Sequence, residues 1–339
     1  MRAPAFWTHD GWLSRGLSIF SPIAAAVTGH RVARPGWRAP VPVICCGNAT
    51  VGGAGKTTLT LDLVRRLTAR GIAVHILTRG YGGASQSPRR VTSGDTAEST
   101  GDEAQLLATA APTWIGADRA VTARAAIKAG AEVLVMDDGL QNPSLSKTMS
   151  LLVVDGRTGF GNGRVLPAGP LREPPERAAA RCAAVVLIGP DTTGALARIP
   201  AGLPVLRADL AQGPEIAALA GRRAIAFTAI AIPDKFFLGL KRAGVLLVGS
   251  ESFGDHHRFT AVELARLEGI SRLMDAILVT TPKDAVKLPT GMNVKIIDVH
   301  ISWAGETAIE SLLDRLMSGS SVPVAGRSKA VSTTLMNDR

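Results

Sequence analysis

Short apolar, β-branched runs alternate along this chain with stretches whose apolar positions recur at helical spacing. The runs at residues 41–46, 72–78, 113–116, 132–136, 150–154 and 183–188 read as strands. Several are apolar throughout, as in a parallel sheet covered on both faces. Helical spacing is clearest from Lys56 through Leu59, Leu61, Leu63, Val64 and Leu67, and recurs at residues 101–107 and 118–129. Such alternation predicts an α/β fold with a mostly parallel sheet. Residues 191–221 carry no clear period and read as peripheral structure and a crossing linker. Beyond them a second, smaller α/β unit is predicted, with strands at 224–228, 245–249, 276–281 and 294–299. Its helices fall at 233–243, 261–274 and 307–317. Residues from 318 onward are rich in Ser and Gly and read as a disordered tail.

The N-terminus has its own pattern. Phe6, Trp7, Trp12, Leu13, Leu17, Ile19, Phe20, Ile23 and Val27 fall mostly on one broad helical face. Residues 1–38 also hold five arginines, Arg2, Arg15, Arg31, Arg34 and Arg38, against the single Asp10. Two readings fit: an interfacial helix on an anionic membrane, or a helix packed against its own domain. No run reaches the roughly 18 apolar residues of a spanning helix, and no signal-peptide pattern is present, so the cytoplasmic side is expected.

Composition narrows the partners. The net charge of +10 over 339 residues points to an anionic ligand, surface or nucleic acid. Aromatic residues are only 4%, which leaves few stacking platforms and argues against nucleic acid. Cys45, Cys46 and Cys182 show no metal-ligand spacing and read as reduced core residues.

The chemistry gathers where the first strand meets the first long helix. Between them lies Thr50-Val51-Gly52-Gly53-Ala54-Gly55-Lys56-Thr57-Thr58. Glycines let backbone N–H groups turn inward around a phosphate, the helix N-terminus adds partial positive charge, and Lys56 reaches the β- and γ-phosphates of a nucleoside triphosphate. Thr50 stands where the strict G-x-x-x-x-G-K-[ST] pattern has its first glycine. The run at 132–136 delivers Asp137 and Asp138 at its carboxyl end, the arrangement that holds Mg²⁺ beside such a loop together with the Thr57 hydroxyl. Gly101-Asp102-Glu103 opens a helix, where acidic residues also serve as caps. His256 and His257 lie in a polar loop of the second unit, and adjacent histidines point apart, so one metal does not take both. The loop around residues 160–174 is rich in Gly and Pro and reads as functional.

In order along the chain, GNATVGGAGKTT (47–58), LTRGYGG (77–83), GDEA (101–104), ADR (117–119), DDGLQN (137–142), NGRVLPAGPLREP (162–174), AFTAIAIP (226–233), FGDHHRF (253–259) and TPKDAVKL (281–288) resemble the tetraacyldisaccharide 4′-kinase family of lipid A biosynthesis. Ala229 and Ala231 depart from it, in a segment where the family tends to carry glycine. The resemblance implies a P-loop kinase core with a RecA-like, mostly parallel sheet. It implies γ-phosphate transfer from ATP, with Mg²⁺, to the 4′-hydroxyl of a tetraacylated glucosamine disaccharide 1-phosphate. It also implies a peripheral position on the cytoplasmic face of the bacterial inner membrane. Carried onto this sequence, Asp102 is the base, His256 its dyad partner, and Asn48, Glu103, Arg119 and Gln141 are substrate-side positions. Asp102 and His256 come from different units, so domain closure is expected to bring them together around the sugar.

The expected division is residues 1–38 as the membrane-associated helix, 39–210 as the kinase core, 211–317 as the second domain and 318–339 as the tail. The competing class is a P-loop switch or partitioning ATPase. Its signature lysine would fall at Val51, and the guanine-reading [NT]-K-x-D element is broken by Pro282 in Thr281-Pro282-Lys283-Asp284.

Overall fold

The structure is a computed structural model that describes residues 4–80, 87–230 and 232–319. The end of the RGYGG stretch, Ala231 and the residues read as a tail from 320 onward lie outside the described residues. The strands are β1 (Val43–Gly47), β2 (Val74–Thr78), β3 (Arg89–Arg90), β4 (Thr113–Ile115), β5 (Val133–Asp137), β6 (Met149–Asp155) and β7 (Ala184–Ile188). They continue with β8 (Val205–Gln212), β9 (Arg223–Thr228), β10 (Leu246–Ser252), β11 (Ile277–Thr280), β12 (Lys295–Ile296) and β13 (Val299–Trp303). One nine-stranded sheet runs β13-β8-β7-β6-β1-β5-β2-β4-β3, and a four-stranded sheet runs β10-β9-β11-β12. The large sheet is parallel except at its two edges, where β13 lies antiparallel to β8 and β3 to β4. Its central strands are buried on both faces, as their unbroken apolar sequences require. In the β1–β5 pairing Cys46 lies opposite Asp137, so the phosphate loop and the aspartate pair leave the sheet side by side.

Helix Lys56–Ala69 buries Leu59, Leu63, Val64 and Leu67 against one face of the large sheet. Helix Glu306–Met317 joins the same core through Ile309, Leu312, Leu313 and Leu316. This corrects the boundary drawn from sequence: β13 and the last helix belong to the large sheet, not to the second unit. Trp303 donates its indole N–H to Asp62 at 3.0 Å, and Arg66 and Arg70 pair with Glu310. The stretch read as linker also holds β8. In VLRADLAQ only Leu206 and Ala208 point into the core, too weak an alternation to stand out from its charged neighbours. The second unit is therefore an insertion, entered and left where the Gly213 N–H donates to the Asp298 carbonyl at 2.9 Å. Phe236 and Leu240 cover one face of its sheet, and Leu264 and Leu267 cover the other.

The N-terminal segment is not one helix. It forms helix Trp12–Leu17, a 3₁₀ turn Ser18–Phe20 and helix Ser21–Ala33. Pro22 lacks the N–H a continuous helix would need there and instead sits in the first turn of the second helix. Ser14 is buried and donates to the Ala168 carbonyl at 2.8 Å, while Ser21 donates to the Val165 carbonyl at 2.6 Å. Trp12, Ile19, Phe20, Ile23 and Val27 remain exposed. One side of the segment is thus docked on the Gly/Pro-rich loop, as the packed-helix reading expects, and the other presents an apolar stripe to solvent.

Candidate active site

Gly55 enters the helix at φ +90°, and a Cβ on it would lie 2.5 Å from Ile188 Cδ1, so this turn requires glycine. The helix begins at Lys56 without a side-chain cap, which leaves its first N–H groups as donors for an anion. Lys56 curls back over the loop, its Nζ donating to the Gly52 carbonyl at 3.2 Å and standing 3.8 Å from Asp138. The 160–174 loop braces this turn from outside. Val51 N–H donates to the Pro170 carbonyl at 2.8 Å, Arg172 N–H donates to the Ala49 carbonyl at 2.7 Å, and Thr50 bridges to Leu171. Asn48 is buried and its Nδ2 donates to Thr50 Oγ1 at 3.1 Å. Gln141 Nε2 donates to the Asn48 carbonyl at 2.8 Å and to Glu173 at 2.9 Å. Asn48 and Gln141 therefore hold the loop's shape.

The adjacent aspartates take different partners. Asp137 accepts from Thr57 Oγ1 at 3.1 Å and from Thr60 Oγ1 at 3.3 Å. Burial pushes its carboxyl up to about 7, with the Glu103 charge adding and Lys56 opposing. Asp138 adopts a left-handed backbone, φ +54°, and turns away to accept both Arg172 Nη1 and Nη2 at 2.9 Å. Burial works against its charge, but Lys56 and Arg172 outweigh it and hold the carboxyl below the usual range. A buried carboxylate beside a hydroxyl is a hard-oxygen pair that suits Mg²⁺, which needs few protein ligands when phosphates supply others. Among the described residues no group of three or more His, Cys, Asp or Glu is arranged to hold a metal by itself. Of the three expected metal positions, Thr57 and Asp137 fit and Asp138 is engaged by arginine.

Arg119 is buried at the start of helix Arg119–Lys128, donating through Nη1 to the Gly116 carbonyl. Burial pulls it down to about 10 even with Asp138 and Asp137 nearby, and its Nε finds no partner among the described residues.

The third cluster joins the two sheets. Asp102 is the first residue of helix Asp102–Ala108, and the Glu103 N–H donates to its Oδ1 at 3.0 Å. His256 Nδ1 lies 3.0 and 2.9 Å from the two carboxylate oxygens. The pair is formed in this structure, so the expected closure is not needed to assemble it. His256 has φ +61°; it and Asp138 are two of the three non-glycine residues with positive φ among the described residues. Lys283 and Lys287 each place Nζ 3.9 Å from Asp102, and Lys283 lies 3.9 Å from Glu103. Burial opposes the Asp102 charge, but His256 and these lysines hold its carboxyl below the ordinary value. The Asp102 hydrogen bond in turn raises the His256 imidazole against its partial burial. His257 turns the other way, to Glu263 at 3.1 Å, so the two histidines diverge as their adjacency predicts.

A family profile described as tetraacyldisaccharide-1-P 4′-kinase matches residues 13–318. The chain belongs to that family. The tetraacyldisaccharide 4′-kinase of Gluconacetobacter diazotrophicus is 53% identical over 319 residues, covering 93% of this chain and 98% of that protein. Its counterpart in Rhodospirillum rubrum is 46% identical over 327 residues, covering 94% and 99%. The crystal structure of LpxK from Aquifex aeolicus in complex with ATP superposes with a TM-score of 0.73 at 27% identity, covering 90% of this chain and 99% of that one.

Within this 4′-kinase fold the structure adds site residues that were not singled out from sequence. Arg172 binds Asp138, Glu173 anchors Gln141, and Lys283 and Lys287 flank Asp102. Their signal was present in the LPAGPLREP and TPKDAVKL stretches, but arginines and lysines in polar loops look alike until their partners are placed. Asp284 shows why the second stretch is shaped so. Fully buried, it accepts from Thr228, Ala229 and Thr281 and ion-pairs with Lys287 at 2.7 Å, fixing that lysine toward Asp102.

Proposed function

We propose that this chain transfers the γ-phosphate of ATP to the 4′-hydroxyl of a tetraacylated glucosamine disaccharide 1-phosphate, with Asp102 receiving the hydroxyl proton. The observation that carries the residue assignment is the Asp102–His256 pair, 2.9 Å apart across the two sheets. It adjoins the phosphate site through Glu103, whose charge is felt at Asp137. The acceptor oxygen forms a bond to the γ-phosphorus, the bond from that phosphorus to ADP breaks, and the proton passes to the carboxylate. A carboxylate held ionised is a weak base, and the Nδ1–H of His256 orients it and shares the charge. Lys56 neutralises charge on the β- and γ-phosphates, and the open glycine backbone with the helix N-terminus holds them in line. Thr57 and Asp137 would hold Mg²⁺, which would supply further charge neutralisation when bound. Arg172 keeps Asp138 turned from that position, and Arg119 places positive charge beside both aspartates.

The lipid character of the acceptor fits the N-terminal stripe. Trp12, Ile19, Ile23 and Val27 are 84%, 70%, 64% and 60% exposed, and the arginines nearby suit an anionic surface. Among the described residues no helix is long and apolar enough to cross a membrane. The protein then works from the surface, peripheral on the cytoplasmic face of the inner membrane. The test is a kinase assay with ATP, Mg²⁺ and detergent-solubilised tetraacyldisaccharide 1-phosphate, with the product identified by mass. A disaccharide bearing a second phosphate on its distal sugar is expected. ATP turnover indifferent to the disaccharide would overturn the proposal.

A further inference from the structure

Apart from the phosphate loop, against the N-terminal helices, lies an open groove of about 720 Å³. Helix Ser21–Ala33 and the residue after it form one wall, which carries Val27, His30, Arg31 and Arg34. The opposite wall belongs to the two loops that build the active site. Asn142 follows Gln141 directly, and Asp118 precedes Arg119. The groove thus shares its far wall with chain segments that lead into the site, while none of its lining residues belongs to the phosphate loop or to the Asp102–His256 pair.

Its charge is lopsided. Among the described residues Arg31, Arg34 and His30 have no ion-pair partner. The one carboxylate on the far wall, Asp118, is engaged: its Oδ1 accepts the Ala120 and Val121 N–H groups at 2.8 and 3.2 Å. The helix also has an order along its length. Ile23, Val27, Arg31 and Arg34 follow one another at four-, four- and three-residue spacing with His30 next to Arg31, so one side runs from exposed apolar to basic over roughly 16 Å. An amphiphile with an anionic head matches that sequence of surfaces.

We infer that this groove binds the 1-phosphate of the disaccharide acceptor through Arg31, Arg34 and His30. The inference rests on the lipid-kinase activity proposed above and deepens it. In this arrangement the acyl chains lie toward Ile23 and Val27, and the distal sugar reaches past Asn142 toward Asp102. The basic end of the helix is then a specificity element that selects the phosphorylated acceptor. The same cations could instead serve anionic headgroups of the surrounding membrane, and the experiment separates the two sources.

Turnover is measured in neutral-detergent micelles with two acceptors, the tetraacyldisaccharide with and without its 1-phosphate. The comparison is repeated in micelles containing anionic phospholipid. Wild type is expected to prefer the phosphorylated acceptor, and the Arg31→Glu/Arg34→Glu variant to lose about tenfold or more of that preference through KM. Arg31→Gln/Arg34→Gln should lose less in the same direction, and thermal melting verifies the fold of both variants. An unchanged preference in neutral micelles would overturn the inference. So would a loss confined to anionic micelles and equal for both acceptors, which would assign the cations to the membrane. No turnover of either acceptor by wild type would instead refute the kinase proposal on which this inference stands.

Discussion

Around the phosphate loop every partner comes from the large sheet. Lys56, Thr57, Asp137, Asp138 and Arg172 are set by adjacent strand ends and by the loop clamped across them. The Asp102–His256 pair is of another kind, joining residues 154 apart in sequence and carried by two different sheets. The first cluster needs only one folded core. The second needs the inserted unit docked in its present position, with Lys283 and Lys287 drawn in beside it. Nucleotide binding and phosphoryl transfer should therefore respond differently to the same kinds of damage.

The largest effect should come from the phosphate loop itself. Lys56→Ala removes the cation expected to meet the β- and γ-phosphates, and turnover should fall at least about a hundredfold. Near-normal turnover at saturating ATP would break the assignment of this half of the site.

A stability measurement sharpens the boundary between the regions. Leu313 is fully buried in the core of the large sheet although it lies beyond the inserted unit in sequence. Leu313→Ala should cost about 2–5 kcal/mol of unfolding free energy by denaturant titration. A loss under about 0.5 kcal/mol, typical of surface changes, would detach the last helix from that core.

A smaller effect should appear in the pH dependence of the interdomain pair. The Asp102 carboxyl lies below its ordinary 3.8, so its share of stability is present above that value and fades as pH falls through the lowered one. The His256 imidazole lies above its ordinary 6.5, so its share is full below 6.5 and fades as pH rises through the raised value. The stability difference between wild type and Asp102→Asn should therefore be larger near about pH 5 than near about pH 9. A difference that grows with pH would have the wrong sign for this pair.

The two regions also differ in how far they can be read from sequence. The phosphate loop was legible because its residues are contiguous and its glycines have few other uses. β1, β5 and β6 were legible because strands buried on both faces leave unbroken apolar runs. β8 escaped because half its positions face outward and carry Arg207 and Asp209. β13 was missed, since the strand expected at 294–299 ends where it begins and its pairing with a strand some ninety residues earlier leaves no local trace. At the site, Arg172 and Lys283 were hidden for the same reason. Their chemistry lies in partners that only the fold supplies. The positions of Asp102 and His256 came from family resemblance, since an acidic helix start and a polar histidine loop are individually unremarkable. The expectation of closure treated residues in separate units as apart, whereas the docked insertion already holds them 2.9 Å from one another.

The claim that matters most is that Asp102 and His256 act as one unit. Its most direct test is a double-mutant cycle in turnover at saturating ATP and acceptor, with ATP affinity measured separately. Asp102→Ala should lose about 10²–10⁴-fold with ATP affinity retained, and His256→Ala should lose less because the carboxylate remains. The double variant should fall little below Asp102→Ala alone, as for residues that share one task. Losses that multiply in full would show two independent residues and contradict the dyad.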